Sequence, residues 1–242
     1  MKTQTLLLIA LTAAGCLFAA ASARAQVTLA DVRANYATSG TLADTFGTGT
    51  WTYYASTTAD PSAGTLTALS YQSIGNAGNN GYGDSATGGY AVPAVSNLPI
   101  FGDGAATGTD SLAWHPGNGS PEYTVIRWTA GTGEAGAIHL QGTFSGVGEP
   151  GGATEFYVFV NGVQAYGQPA TGGGRSYTYD LTASIASGES VDFVLGNGGN
   201  GYGGDESLIS GTVSSAIPEP AAYGVCAGLA TLGLVALRRR RG

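Results

Sequence analysis

Cysteine, lysine and helical periodicity are almost missing from this chain, and each gap removes a class of protein. Of the 242 residues only Cys16 and Cys226 are cysteines, and both fall in apolar terminal stretches. Residues 26–216 therefore have no disulfide, no thiolate metal centre and no cysteine nucleophile. The single lysine is Lys2. Between 26 and 216, Arg33, Arg127 and Arg175 stand against nine aspartates and six glutamates, a balance of −12. So few cations cannot neutralise phosphates, which argues against nucleic acid as a partner. A Ser-His-Asp site would have to use one of only two histidines, His115 or His139, and no G-x-S-x-G elbow is present. Both histidines have simpler uses. His139 lies on the polar face of an alternating run, and His115 precedes Pro116-Gly117, a setting for a loop hydrogen bond. Four glutamates (Glu122, Glu134, Glu149, Glu155) are free for a glycosidase pair, but none forms an E-x-D-x-E strand motif. No long amphipathic helix is visible outside the termini; residues 29–36 make at most a short one.

What is present has a period of two. Thr124-Ile126-Trp128 alternates with Tyr123-Val125-Arg127, and Ile138-Leu140-Gly142-Phe144 with Ala137-His139-Gln141. Phe156-Val158-Val160 leads into Asn161-Gly162 and then Val163-Gln164-Ala165-Tyr166. An Asn-Gly pair between two such runs predicts a type I′ hairpin. Further strands are predicted at 51–55, 65–71, 111–114, 177–181, 191–195 and 208–213, separated by Gly, Ser and Pro clusters. About ten short antiparallel strands in one domain predict an all-β, jelly-roll-like antiparallel β-sandwich over 26–216.

The termini read differently. Lys2, an apolar run over 6–21 and Ala23-Arg24-Ala25 before Gln26 have the layout of a signal peptide, placed at 1–25, which makes signal peptidase a partner. At the other end, Pro218-Glu219-Pro220 precedes 221–237, which is 17 residues without charge or proline, and then Arg238-Arg239-Arg240-Arg241. At about 1.5 Å per residue this run spans roughly 25 Å, the short end of a bilayer-crossing helix. The arginines favour a cytoplasmic stop, and the prolines keep Glu219 extended and open to a protease. Residues 217–242 resemble the PEP-CTERM sorting signal of Gram-negative bacteria. That resemblance implies recognition of the tripeptide by an exosortase, a membrane-anchored intermediate, and delivery to the cell surface or extracellular matrix.

Ligand chemistry is sought in the loops. Gly75-Asn76-Ala77-Gly78-Asn79-Asn80-Gly81-Tyr82-Gly83-Asp84 echoes Gly196-Asn197-Gly198-Gly199-Asn200-Gly201-Tyr202-Gly203-Gly204-Asp205. Each would offer a ring to stack on a sugar (Tyr82, Tyr202), with Asn79, Asn200, Asp84 and Asp205 to pair with hydroxyls. Plain surface packing is the competing use, and convergence of the two loops at one end of the sandwich would separate the two. Asp103, Asp110 and Asp205 in glycine-containing loops are compatible with Ca²⁺, against ordinary turn capping; no other cofactor is implied. Trp51-Thr52-Tyr53-Tyr54, Trp114-His115-Pro116-Gly117, Val125-Ile126-Arg127-Trp128, Gly142 to Phe144, Val160-Asn161-Gly162, Gly188-Glu189-Ser190-Val191-Asp192-Phe193 and Asp205 together form a further pattern. It resembles carbohydrate-binding or galactose-binding-like β-sandwich modules, which implies a non-catalytic domain that binds polysaccharide. A secreted carbohydrate-active enzyme and a purely structural surface protein are the alternatives.

Overall fold

The computed structural model describes residues 26–36, 48–75, 78–84, 91–101, 110–119, 123–147, 152–172, 175–201 and 203–216. The signal peptide, Pro218-Glu219-Pro220, the span 221–237, Arg238 to Arg241, Asp103 and Tyr202 lie outside the described residues. Among the described residues no helix is long and apolar enough to cross a membrane.

The compact unit Thr28–Ser215 is all-β. Its strands are β1 (Thr28–Asp31), β2 (Thr50–Ser56), β3 (Leu66–Ala68), β4 (Ser70–Ile74), β5 (Asn79–Gly83), β6 (Ala94–Ser96) and β7 (Leu112–His115). There follow β8 (Tyr123–Thr129), β9 (Gly136–Gly146), β10 (Ala153–Val160), β11 (Val163–Gly172), β12 (Ser176–Ile185), β13 (Ser190–Gly196) and β14 (Ser207–Ser215). They form an antiparallel β-sandwich. One sheet has eight strands in the order β12-β9-β14-β7-β6-β5-β4, with β1 also paired to β14; the other has six in the order β11-β10-β13-β8-β2-β3.

Alternation places the core as the sequence implies. Trp51, Ile126, Trp128, Phe156, Val158, Val191 and Phe193 enter from the six-stranded sheet; Trp114, Ile138, Leu140, Phe144 and Tyr179 meet them from the other. Trp114 and Trp128 are fully buried. Phe144 stacks on Phe156 across the layers, with centroids 5.0 Å apart. The hairpin at Asn161-Gly162 has positive φ at both positions, 49° and 75°, with Val160 opposite Val163. This is the predicted type I′ turn.

Three elements differ from expectation. Residues 29–36 are not a helix: β1 ends at Asp31, whose Oδ1 accepts the Arg33 and Ala34 amides at 2.8 and 2.7 Å and holds a single turn. The run 65–71 is two strands, because the chain changes sheets at the buried Leu69, whose N–H donates to Tyr53 O. Residues 79–83, read as loop from their glycine and asparagine content, form β5 between β4 and β6.

Candidate functional site

The outward face of the eight-stranded sheet carries a groove of about 440 Å³ across β12, β9 and β14. Its making begins with two glycines. Tyr179, Gly142 and Gly211 lie opposite one another on three adjacent strands. Tyr179 points into the core, where its ring sits 4.9 Å from Phe144, and its hydroxyl donates to Ser210 O at 3.1 Å. A Cβ on Gly142 or Gly211 would collide with that hydroxyl. Only glycine therefore leaves room for the tyrosine beneath the groove floor. Burial raises the phenol far above its usual range, with the Asp31 carboxylate adding to the effect.

The residues on either side of this glycine row face outward and are polar. Thr178, Thr143 and Ser210 form one row; Asp180, Gln141, Thr212 and Asp31 form the next, across four strands. Asp110 completes the lining. Three carboxylates, one amide and four hydroxyls thus share a groove with no lysine or arginine among its lining residues. Two of the carboxylates have partners: Asp31 caps its turn, and Asp180 Oδ1 lies 2.7 Å from His139 Nε2.

The opposite outward face, on the six-stranded sheet, is aromatic. Tyr157, Val194, Val125 and Tyr54 are aligned across β10, β13, β8 and β2. Val125 and Val194 are fully buried although they point away from the core. Arg127 makes a two-pronged pair with Asp192, at 2.5 and 2.9 Å, and lies over the Tyr54 ring. Glu155 receives the Tyr157 hydroxyl at 2.8 Å and the Tyr123 hydroxyl as well. Burial, then this carboxylate, pushes Tyr157 up to about 12 and Tyr123 further. The β2–β3 connection runs along this sheet toward the β10–β11 turn. It leaves β2 at Ser56, beside Tyr123, yet Ser62 sits where a Gly162 side chain would be, at the other end of β10. Pro61 is buried within it.

The described loop residues singled out in the sequence have separate surroundings, and Tyr202 lies outside the described residues. Tyr82 belongs to β5 and the core: it is 6% exposed and ringed by Tyr36, Tyr53 and Tyr71 at 4.7–5.8 Å. It offers no open face to a sugar, which corrects its reading as a loop ring. Asn79 is spent on Pro99 O at 2.8 Å. Asp84 is half-buried, its N–H held by Pro93 O, while Asn200 is exposed on a turn back to Asn197. The two echoing segments do touch common ground. Gly75 abuts the Ile100 carbonyl, and Glu206, just after the second segment, accepts the Ile100 and Phe101 amides, both at 2.9 Å.

Asp205 is the unusual member. It is fully buried beside Gly152, and neither oxygen makes a well-formed hydrogen bond. Loss of solvent raises its pKa to about 7, and the Ala153 amide offsets only part of that. Asp110, by contrast, lies in the groove beside Ser210 to Thr212. At about 3.3 Å per residue, β14 separates it from Asp205 by roughly 20 Å. These two Ca²⁺ candidates therefore do not share an ion, and no group of three His, Cys, Asp or Glu occurs among the described residues. His115 is buried with Nδ1 2.7 Å from Pro116 O, so Nδ1 carries the proton in a local bond. The groove residues Gln141, Thr143, Thr178, Asp180, Ser210 and Thr212 escaped sequence reasoning, since each looks like an ordinary solvent-facing position of a strand.

An antiparallel β-sandwich with a polar groove on one outward face is thus the class of protein that fold and site define. No family model and no curated protein matches the chain. Among solved structures it is similar to a CBM51 module of Clostridium perfringens GH95 in complex with methyl-galactose, at 10% identity and a TM-score of 0.33 over 60% of this chain and 79% of that one. It is also similar to the CBM51-2 and INT domains of C. perfringens ZmpB (9%, TM-score 0.33, 62% of this chain). There it spans about a quarter of the chain's length, 26%. A family 35 carbohydrate-binding module from Clostridium thermocellum matches at 18% identity and a TM-score of 0.30 over 46% of this chain and 81% of that one. At such scores the likenesses establish no common function.

Proposed function

We propose that this chain is an exported, exosortase-sorted component of the cell surface or extracellular matrix of a Gram-negative bacterium, and that its sandwich domain binds polysaccharide without cleaving it. The groove on the eight-stranded sheet carries the binding reading. Its volume of about 440 Å³ falls within the roughly 300–1,000 Å³ of small-ligand sites. Its lining is what sugar hydroxyls pair with: carboxylate and amide acceptors, an amide donor, and hydroxyls that serve as either. Two of its carboxylates are already committed, Asp31 to a turn and Asp180 to His139, which favours holding a sugar over acid–base work on it. The order Pro218-Glu219-Pro220, apolar run, Arg238 to Arg241 supports the sorting reading. No cofactor enters this reading. Asp205 is the residue at which Ca²⁺ would bind, since a buried carboxylate with no well-formed hydrogen bond suits a hard cation. Residues 26–216 applied to a glycan array, with and without Ca²⁺, should retain a polysaccharide intact. No retention supports a purely structural protein, and shortened glycan products support the enzyme. Intact-mass analysis from the native host should show loss of the segment after Pro218-Glu219-Pro220; full-length, Arg-tailed protein at the surface would contradict sorting.

A further inference from the structure

Among the described residues the sandwich has five sheet edges, counting the four-residue β1 that pairs only with β14, and four of them are short or blunted. β3 has three residues and β4 five. β11 has ten, but it contains Pro169, which lacks an N–H, and its pairing with β10 slips twice. β12 is the exception: ten residues, Ser-Tyr-Thr-Tyr-Asp-Leu-Thr-Ala-Ser-Ile, paired to β9 without a break from Ser176 to Ile185. It has no proline, no lysine and no bulge, the devices by which edges are normally protected. Among the described residues no strand pairs with its other side. The core is also only half closed along this seam. Tyr166 on β11 and Tyr177, Leu181 and Ala183 on β12 are partly buried apolar side chains at its rim.

We propose that β12 is a self-association edge, on which a second copy of this chain adds its own β12 antiparallel and extends the eight-stranded sheet. Symmetry and charge fix the register. A two-fold axis between antiparallel strands places one residue opposite itself. Centring on Asp180 would set two carboxylates face to face, which is unfavourable. Centring on Leu181 sets Leu181 against its counterpart and Tyr179 against Ala183, so the apolar rims close on each other. On the outward face it sets Asp180 against Thr182 and Thr178 against Ser184, each pair able to hydrogen-bond. Because Thr178 and Asp180 line the polar groove, the two grooves then meet across the seam. The pairing itself does not depend on what the groove binds.

The full chain in detergent micelles should sediment as a dimer at micromolar concentration, and Leu181→Lys should return it to monomer. An association through the apolar termini would survive that change. Leu181→Cys should give an intermolecular disulfide that peptide mass mapping places at residue 181, with far less from Asp180→Cys. If Leu181→Lys fails to fold, the two cysteine variants decide. A monomeric wild type, a dimer that Leu181→Lys leaves intact, or equal cross-linking at 180 and 181 would each overturn the proposal.

Discussion

The two outward faces of this sandwich follow the same period-two rule and reach opposite results. On β9, β12 and β14 the outward residues are Gln, Thr, Ser, Asp and His, apart from Ala137 and Leu208, and the polar ones border an open groove. On β8, β10 and β13 they include Val125, Phe159 and Val194, which are buried, and Asp192, which is 1% exposed. The second face is a small additional core, with the rings of Tyr54, Tyr123 and Tyr157 for walls. A sheet face in water needs no cover when its side chains hydrogen-bond to solvent, but an apolar one must be covered. The aromatic face thus contributes stability, and the hydroxyl face is left free for a ligand.

The largest expected effect on this contrast comes from Asp192→Ala. It strands the Arg127 guanidinium, which is 23% exposed, against an apolar face. The loss should be about 2–3 kcal/mol, read as a lowered denaturation midpoint, because breaking a pair costs more than the pair was worth. An unchanged midpoint would show that this face is not a core.

Asp205 sharpens the comparison from the end where both sheets meet. Its pKa is near 7 in the folded chain and near 3.8 in the unfolded one. Between those values the folded state binds the extra proton, so stability falls as pH rises from about 4 to 7 and the full penalty is present above that. In metal-free buffer Asp205→Asn should remove this slope and raise stability at pH 8 by on the order of 2 kcal/mol. A wild-type stability that rises with pH over this range, or an Asp205→Asn variant that is weaker at pH 8, would mean that the carboxylate has a stronger partner than the Ala153 amide.

Gly162→Val is next. A side chain there must adopt φ near 75° and also meet Ser62, so it strains the turn and displaces the β2–β3 connection together. About 1–2 kcal/mol should be lost. Since the hydroxyl face is untouched, glycan retention should remain.

How much of this was legible in the sequence depends on the range of the interaction. The Asn161-Gly162 turn was legible because only local φ preference decides it. The strands around Ile126, Phe144, Phe156 and Phe193 were legible because alternation with large apolar residues is a local pattern. β5 was hidden by its composition, Asn-Asn-Gly-Tyr-Gly, which has turn chemistry and takes strand form only between β4 and β6. The outward positions Val125 and Val194 sit on the faces that alternation assigns to solvent, and packing among Tyr54, Leu66, Tyr123, Tyr157 and Phe159 on the same sheet reversed them. The groove was illegible for a related reason: Asp31, Gln141, Asp180 and Thr212 become neighbours only through the register of four strands. No spacing rule in the chain announces that register.

The central claim is that polysaccharide binds the hydroxyl face and not the aromatic one. Two variants with matched melting curves test it on one immobilised glycan recovered from the array. Gln141→Ala with Thr143→Ala removes two groove side chains, and Tyr123→Phe with Tyr157→Phe removes the two hydroxyls that Glu155 holds. At about 1 kcal/mol per lost hydrogen bond, the groove pair should weaken binding by roughly tenfold or more. The tyrosine pair should leave it unchanged. Undiminished binding in the groove variant, with loss in the tyrosine variant, would contradict the account and move the site to the six-stranded sheet.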